Sequence, residues 1–368
     1  MFNNSFNFLK EDKPYLYALS HFPPLFRRWR EWINFINVKD LFLLSDSDLL
    51  HAFSNSSIIQ EFILFRRKNS WEKFWEDLIK KGIDMVVIGE ENYPPLLAEI
   101  KNPPLFLLYK GRLEGDLFIS IVGTRKPTSY GIKMAFEFSK ELASLGFVIV
   151  SGLAYGIDTY AHKGALEVKG KTWAVIGSGF DHIYPKENIG LAEDIVENGG
   201  AIISEYPLNT KPAYYTFPQR NRIISGISRA VLVVEAGEKS GALITAGLAL
   251  DQGRDVYAIP GRIIDGKSKG TNRLIQDGAK MILDIRDILD DYGLSYEKSK
   301  REEIKLSEEE EKLLRFLSFE PKFIDEIAEE SNIHVSRLIF LLISLQSKDI
   351  IEEYPGQRYA IKRSVWNE

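Results

Sequence analysis

Four glycine-bearing stretches hold the residues most able to do chemistry: Gly123-Thr-Arg125, Ser151-Gly152-Leu-Ala-Tyr-Gly-Ile-Asp158, Gly177-Ser-Gly179-Phe180 and Glu235-Ala-Gly-Glu-Lys239-Ser240-Gly241. Each follows an apolar run of the kind expected of a strand buried on both faces. Glycine just past such a strand lets backbone N–H groups approach an anion near the start of the next helix. Four such loops imply one rim of a parallel sheet, where ligands of this architecture bind. Arg125, Phe180, Tyr184, Lys186 and Lys239 stand in or beside these loops. Cations with aromatic rings suit a phosphate-rich polymer better than a small cofactor.

Arg125 can grip a phosphate or stack on a base, with Gly123 allowing close backbone approach. The loop from Gly177 to Asn188 carries Phe180, His182, Tyr184 and Lys186. Aromatic faces stack on unpaired bases at ~1–3 kcal/mol each, while cations follow the backbone. The bland alternative, that Phe180 and Tyr184 fill gaps beneath the loop, stays open. Phe217-Pro-Gln-Arg220-Asn221-Arg222 precedes a further apolar run. Its arginines either bind phosphate or pair internally with Glu205 or Glu235. Lys239-Ser240-Gly241 offers N–H groups to an anion at a helix start. Its glycine order is not that of a phosphate loop, so a nucleotide triphosphatase is not expected.

Ser151, Asp158 and His162 do not form a nucleophilic triad by spacing. The Gly-x-Ser-x-Gly pattern is missing, and Asp158 and His162 lie four apart on one helix face. Asp158 and Thr159 are expected to cap a helix, and His162 to make a local hydrogen bond. His182 has no second ligand at metal-binding spacing. The chain has no cysteine, which excludes disulfides and thiolate metal sites. No catalytic residue, metal or cofactor is expected.

The elements that must position these loops alternate between Leu117 and about Leu289. Expected strands are Phe118–Val122, Phe147–Ser151, Thr172–Ile176, Ala201–Ser204, Ala230–Val234 and Asp255–Ile259. Helices Lys133–Leu145, Thr159–Val168, Ile189–Asn198 and Ile244–Gln252 fall between them. This period predicts an α/β doubly wound parallel sheet. Residues 1–82 read as an all-helical module, SAM-like or helix-hairpin-helix-like, and 83–296 as an extended core. The charged stretch 297–306 reads as a linker. Three helices and a hairpin over 307–368 predict a winged helix-turn-helix.

The chain has 368 residues and a net charge of −5, which argues mildly against nucleic acid. Yet Ala201 to Lys280 carries four more basic than acidic residues. Phosphate binding needs a local basic field, not a basic total. The amino terminus lacks the pattern of a signal peptide, and no apolar run reaches membrane-spanning length. A cytoplasmic protein without a membrane partner is expected.

Taken together, Gly-Thr-Arg125, Ser151-Gly-Leu-Ala-Tyr-Gly-Ile-Asp-x-x-Ala-His162, Phe217-Pro-Gln-Arg-Asn-Arg-Ile-Ile224 and Lys239-Ser-Gly-Ala-Leu-Ile-Thr-Ala246 resemble the DprA/Smf family, the DNA-processing proteins of bacterial transformation. Gly261-Arg and Gly270-Thr-Asn-Arg-Leu-Ile-Gln-Asp-Gly-Ala279 resemble it too, and the likeness spans about Tyr93 to Ile285. The resemblance implies a Rossmann-like core that binds single-stranded DNA, forms a homodimer and loads the RecA recombinase, without catalysis. It implies DNA contacts at Gly123, Arg125, Gly152, Gly177, Gly179, Phe180, Lys186 and Asn188. It extends them to Arg220, Asn221, Arg222, Lys239, Ser240 and Gly241. A dimer surface is implied around Leu274 to Ile288.

Two other functions are weighed. A nucleotide-processing enzyme of the lysine-decarboxylase-like fold would carry a Pro-Gly-Gly-x-Gly-Thr loop, and Glu235-Ala-Gly-Glu-Lys-Ser-Gly stands in its place. A duplex-DNA regulator would read through Val335–Lys348, where the only cations are Arg337 and Lys348.

Overall fold

The computed structural model describes residues 10–54, 56–294, 306–348 and 350–362. It divides into two compact units, Met1–Leu294 and Ser295–Glu368. The expected linker, 297–306, lies almost wholly outside the described residues.

The first unit opens with short helices: α1 (Lys13–Ser20), α2 (Pro23–Phe26), α3 (Trp29–Trp32), α4 (Asp40–Leu43), α5 (Asp46–Ala52), α6 (Ser57–Lys68) and α7 (Trp71–Lys80). Side chains start two of them. Ser45 accepts from the Asp48 N–H at α5, and Ser70 from the Lys73 N–H at α7. Their apolar faces, with Leu16, Trp32, Leu41 and Phe62, share one core with Met85, Val87, Phe106 and Leu108 of the strands that follow. The helical segment therefore packs directly on the edge of the sheet.

Nine strands form that sheet: β1 (Asp84–Val87), β2 (Phe106–Gly111), β3 (Phe118–Val122), β4 (Val148–Ser151), β5 (Thr172–Val175), β6 (Ala201–Ser204), β7 (Ala230–Val233), β8 (Asp255–Ala258) and β9 (Lys280–Met281). Their order is β1-β2-β6-β5-β4-β3-β7-β8-β9. From β6 to β9 every pair is parallel, while β1 and β2 run antiparallel at one edge. The core is the doubly wound α/β fold that the alternating pattern predicts. Between the strands lie α8 (Pro95–Ala98), α9 (Ser129–Ser144), α10 (Ile157–Glu167), α11 (Ile189–Glu197), α12 (Thr216–Ile227), α13 (Gly241–Asp251), α14 (Lys269–Gln276) and α15 (Arg286–Asp291).

The chain builds outward from β3 to β6, then returns to place β7 on the other side of β3. The ends of β3 and β7 thus flank the switch point of the sheet, where a crevice opens. The sequence pattern missed α12, reading Phe217 to Arg222 only as a segment before a strand. The glycine and the serines near its end, Ser225, Gly226 and Ser228, blur a helical face. Gly226 is buried against Leu97 and Ile100, so a small residue is needed where α12 meets α8.

The second unit holds α16 (Glu308–Leu314), α17 (Ile324–Ser331) and α18 (Val335–Ser347). It also holds a three-stranded sheet of β10 (Lys322–Phe323), β11 (Ile351–Tyr354) and β12 (Arg358–Ile361), ordered β10-β12-β11. Ser307 and Glu310 form a reciprocal capping box at α16. Leu313, Ile327, Leu338, Leu342 and Ile361 share its core. This is the expected winged helix-turn-helix arrangement.

Candidate nucleic-acid interface

The glycine loops do meet along one rim, at the ends of β3, β4, β5 and β7. Their backbone donors, however, are largely taken by the protein itself. Thr124 N–H donates to the Glu235 carbonyl at 2.7 Å. The Thr128 N–H and hydroxyl donate to the buried Glu235 carboxylate, each at 2.8 Å. That carboxylate fills the start of α9, where a phosphate would sit in a nucleotide-binding sheet of this type. The Gly152 and Ala154 N–H groups donate to Asp158 at 3.2 and 3.4 Å. Gly179 N–H donates to the Thr210 carbonyl at 2.8 Å. A backbone anion cradle, the reading suggested by the glycines, is therefore occupied by internal acceptors at these positions.

What the rim exposes is side chains. Arg125 is exposed, and its guanidinium carbon lies 5.2 Å from the centroid of the Phe217 ring. Phe217 stands 5.9 Å from Tyr184, and Tyr184 stands 6.3 Å from Tyr155. One cation and three rings thus form a row contributed by the loop after β3, the loop after β4, the loop after β5 and the start of α12. Lys186 is exposed beside Tyr184. Lys211 is exposed three residues before Tyr214, which is 93% exposed. Lys239 is exposed in the loop between β7 and α13, and Gly241 opens α13 with free space where a side chain would be. Ser240 caps α13 by accepting from the Ala242 N–H.

Several expected contact residues are placed inside instead. Arg220 is 3% exposed and donates to the Val175 carbonyl. Burial lowers its pKa to about 10, so it stays cationic at neutral pH. Its charge faces Asp158, whose carboxyl is pushed up by burial and held down in turn by Arg220, the loop N–H groups and Arg125. Arg220 therefore braces the rim from below rather than meeting solvent. Gly152 is glycine because a Cβ there would fall inside the Arg220 guanidinium. Arg222 pairs with Glu205, one of the two internal partners open to it from sequence. Asn221 is half-buried on α12, where its carbonyl accepts from the Ser225 hydroxyl.

Phe180 packs against two hydrophobic clusters, which makes it a gap filler as its bland reading has it. Asn188 is buried and donates to the Leu153 carbonyl at 2.8 Å and to the Thr159 hydroxyl at 2.9 Å, tying two loops together. Gly177 is buried under the Phe217 ring. Asp158 lies within the first turn of α10 and caps the preceding loop, not the helix. His162 Nδ1 bonds the Thr172 hydroxyl across to β5 at 2.7 Å, so its contact is not local.

No nucleophilic triad is assembled. The Ser151 hydroxyl donates to the Ile121 carbonyl, His162 meets Thr172, and Asp158 serves the loop. Among the described residues no cluster of His, Cys, Asp or Glu could hold a metal ion, and no helix is long and apolar enough to cross a membrane. In the second unit, Arg337 of α18 pairs with Glu309, and Lys348 at its C-cap pairs with Glu310. The same helix exposes Ile339, Phe340 and Ile343. An apolar face with neutralised cations is a poor reader of duplex phosphate.

Sequence spacing pointed to Arg125 and Lys186 but not to the row of rings. Tyr155 sits within a glycine loop and Phe217 at a helix start, and only the fold brings them to Tyr184.

Residues 84–293 match the family described as DNA recombination-mediator protein A. The chain is 44% identical over 234 residues to the DNA processing protein DprA of Bacillus subtilis, spanning 61% of this chain and 78% of that protein. It is 36% identical over 317 residues to Protein Smf of Escherichia coli, spanning 83% and 84%. Its fold is similar to the X-ray structure of DNA processing protein A from Streptococcus pneumoniae, with a TM-score of 0.59 at 34% identity over 77% of this chain and 94% of that one. A Helicobacter pylori DNA processing protein A, whose structure addresses its single-stranded DNA binding mode, gives a TM-score of 0.52 at 33% identity over 57% and 95%. Sheet order, glycine loops and these relatives converge, and the chain belongs to the DNA recombination-mediator protein A (DprA/Smf) family.

Proposed function

We propose that the chain is a non-catalytic, single-stranded DNA-binding recombination mediator of natural transformation, working in the cytoplasm. It protects unpaired incoming DNA and passes it to the RecA recombinase. The observation that carries this reading is the row of Arg125, Phe217, Tyr184 and Tyr155 on the rim. Rings offer every base a stacking face without reading sequence, and the cations beside them follow the phosphates. The filled α9 start and the separate networks of Ser151, Asp158 and His162 support binding without turnover.

In this reading residues 83–296 carry the DNA, the helices of 1–82 flank it, and the winged helix of 307–368 adds little affinity. A homodimer through the surface around Leu274 to Ile288 accounts for the exposure of Met281 and Leu283. The deciding experiment is a gel-shift series comparing one oligonucleotide unpaired and in duplex, at rising salt. Preference for the unpaired form, falling steeply with salt, is expected. Protein that ignores oligonucleotides yet hydrolyses nucleotides would overturn the reading.

A further inference from the structure

A cleft of about 630 Å³ lies beside the rim, walled by α2, α3, the turn before β2, the end of β6 and the start of α12. Volumes of this order, roughly 300–1,000 Å³, hold organic ligands rather than single ions. Its lining carries three arginines, Arg27, Arg30 and Arg222, against one carboxylate, Glu205. In a chain of net charge −5, that is a local positive field.

The chemistry of the walls is specific. Arg30 lies over the Trp29 ring, 5.0 Å from its centroid, and donates to Asn102 at 3.2 Å. A guanidinium held over an indole places a cation and its donors beside an aromatic face. Phe26, Tyr206 and Tyr215 add further rings. At the floor, Arg222 gives Nη2 to Glu205, while its Nη1 is buried and makes no hydrogen bond in the described protein. Burial raises the pKa of the Glu205 carboxyl, and Arg222 offsets this in part.

The cleft and the rim both draw on the start of α12. Tyr215 lines the cleft, and two residues later Phe217 lies under Arg125. We infer that this cleft is a second binding subsite, which takes nucleotides of the same unpaired strand that flank those held at the rim. The inference rests on the single-strand reading above, and extends it to the helical segment. Rings and donors there accept bases, and the arginines meet phosphates.

The test uses the full chain, fluorescence anisotropy and two oligothymidylates: the shortest that the unaltered protein binds, and one twice that length. The Arg27→Gln/Arg30→Gln double variant replaces exposed side chains, and a thermal melt confirms its folding. Its affinity for the longer strand should fall roughly tenfold, with the salt slope shallower by about 1.4 for two lost phosphate contacts. Its affinity for the shorter strand should be unchanged. Tyr215→Ser should also weaken the longer strand.

Unchanged binding of the longer strand in both folded variants overturns the inference, and leaves a peptide as the occupant to seek. Equal loss on both lengths also overturns it, because the arginines would then belong to the rim site. Arg125→Ala separates the two levels. If it weakens the shorter strand while the cleft variants change nothing, the single-strand reading stands and the subsite falls. If it changes nothing while the cleft variants abolish binding, the rim reading falls and the cleft is the primary site.

Discussion

Arg125 and Phe217 are 92 residues apart in the chain, yet the guanidinium of one lies 5.2 Å from the ring centroid of the other. The ring holds an exposed guanidinium at the rim, where its N–H groups can meet phosphate. Arg125→Ala should therefore weaken single-strand binding by ~1–3 kcal/mol, the range for a hydrogen bond to a charged group. Phe217→Leu keeps the apolar bulk but removes the platform, and should cost a comparable ~1–3 kcal/mol. Anisotropy titrations at low salt check both. Unaltered affinity in Arg125→Ala would remove that residue from the site.

Arg220 separates support from contact. It reaches the Val175 carbonyl from α12 and places its charge opposite the buried Asp158. Arg220→Met should cost roughly 3 kcal/mol of stability, from the lost charged hydrogen bond and an uncompensated carboxylate. A lowered midpoint in urea denaturation is the expected readout. A variant with native stability and no DNA affinity would instead put Arg220 in direct contact with the strand.

The alternation of buried strands with amphipathic helices made the sheet legible, and β3 and β6 fall where their apolar runs begin and end. The site was legible only in part. Arg125 stood out because a cation closes a strand at a glycine. The glycines themselves suggested an anion cradle, because nothing in their spacing says that Glu235 and Asp158 reach back to take the donors. Arg220 and Arg222 looked alike in sequence. Only the helical phase of α12, which the serines and glycine near its end obscured, turns one into the core and the other toward Glu205.

His162 makes the core acid-sensitive. The Thr172 hydroxyl donates to the Ile149 carbonyl at 2.7 Å, so His162 Nδ1 must carry the proton it shares with Thr172 Oγ1. Its Nε2 is buried without a partner, and burial together with the charge of Arg220 lowers its pKa from 6.5 to about 3. The unfolded chain binds the proton more readily than the folded one. Stability from this group is therefore complete above pH ~6.5 and falls as the pH drops toward ~3, by ~1.4 kcal/mol per unit. Thermal melts between pH 7 and ~5 should show the slope, and His162→Gln should flatten it. An equal slope in the variant would assign the effect elsewhere.

Leu283 is 68% exposed just beyond β9, with Met281 beside it and Ile263 and Ile264 more exposed still. Met281 and Leu283 are exposed apolar residues of the homodimer surface proposed around Leu274 to Ile288. Leu283→Glu should convert a dimer to a monomer in sedimentation equilibrium while leaving the melting temperature nearly unchanged. A protein that is already monomeric at micromolar concentration would dismiss the interface.

The winged helix should be dispensable for single-strand affinity. Arg337 and Lys348 are engaged by Glu309 and Glu310. Glu310 also accepts from the Ser307 N–H and the Ser344 hydroxyl at 2.6 and 2.7 Å. Although burial acts to raise its pKa, Lys348 and these hydrogen bonds outweigh it and hold the carboxyl at about 2. The Lys348–Glu310 pair is therefore ionised at any pH at which binding is measured, and Lys348 is not released to a phosphate without leaving a buried carboxylate uncompensated, while Arg337 is held by the exposed Glu309. Deleting residues 301–368 should change affinity for an unpaired oligonucleotide by less than about twofold, since no phosphate contact is lost. Glu310→Gln should instead lower the unfolding midpoint of the second unit at neutral pH, with the difference shrinking as the pH falls toward ~2, where the unaltered carboxyl itself takes up its proton. Loss of all DNA affinity on truncation would move the site from the sheet rim to the winged helix.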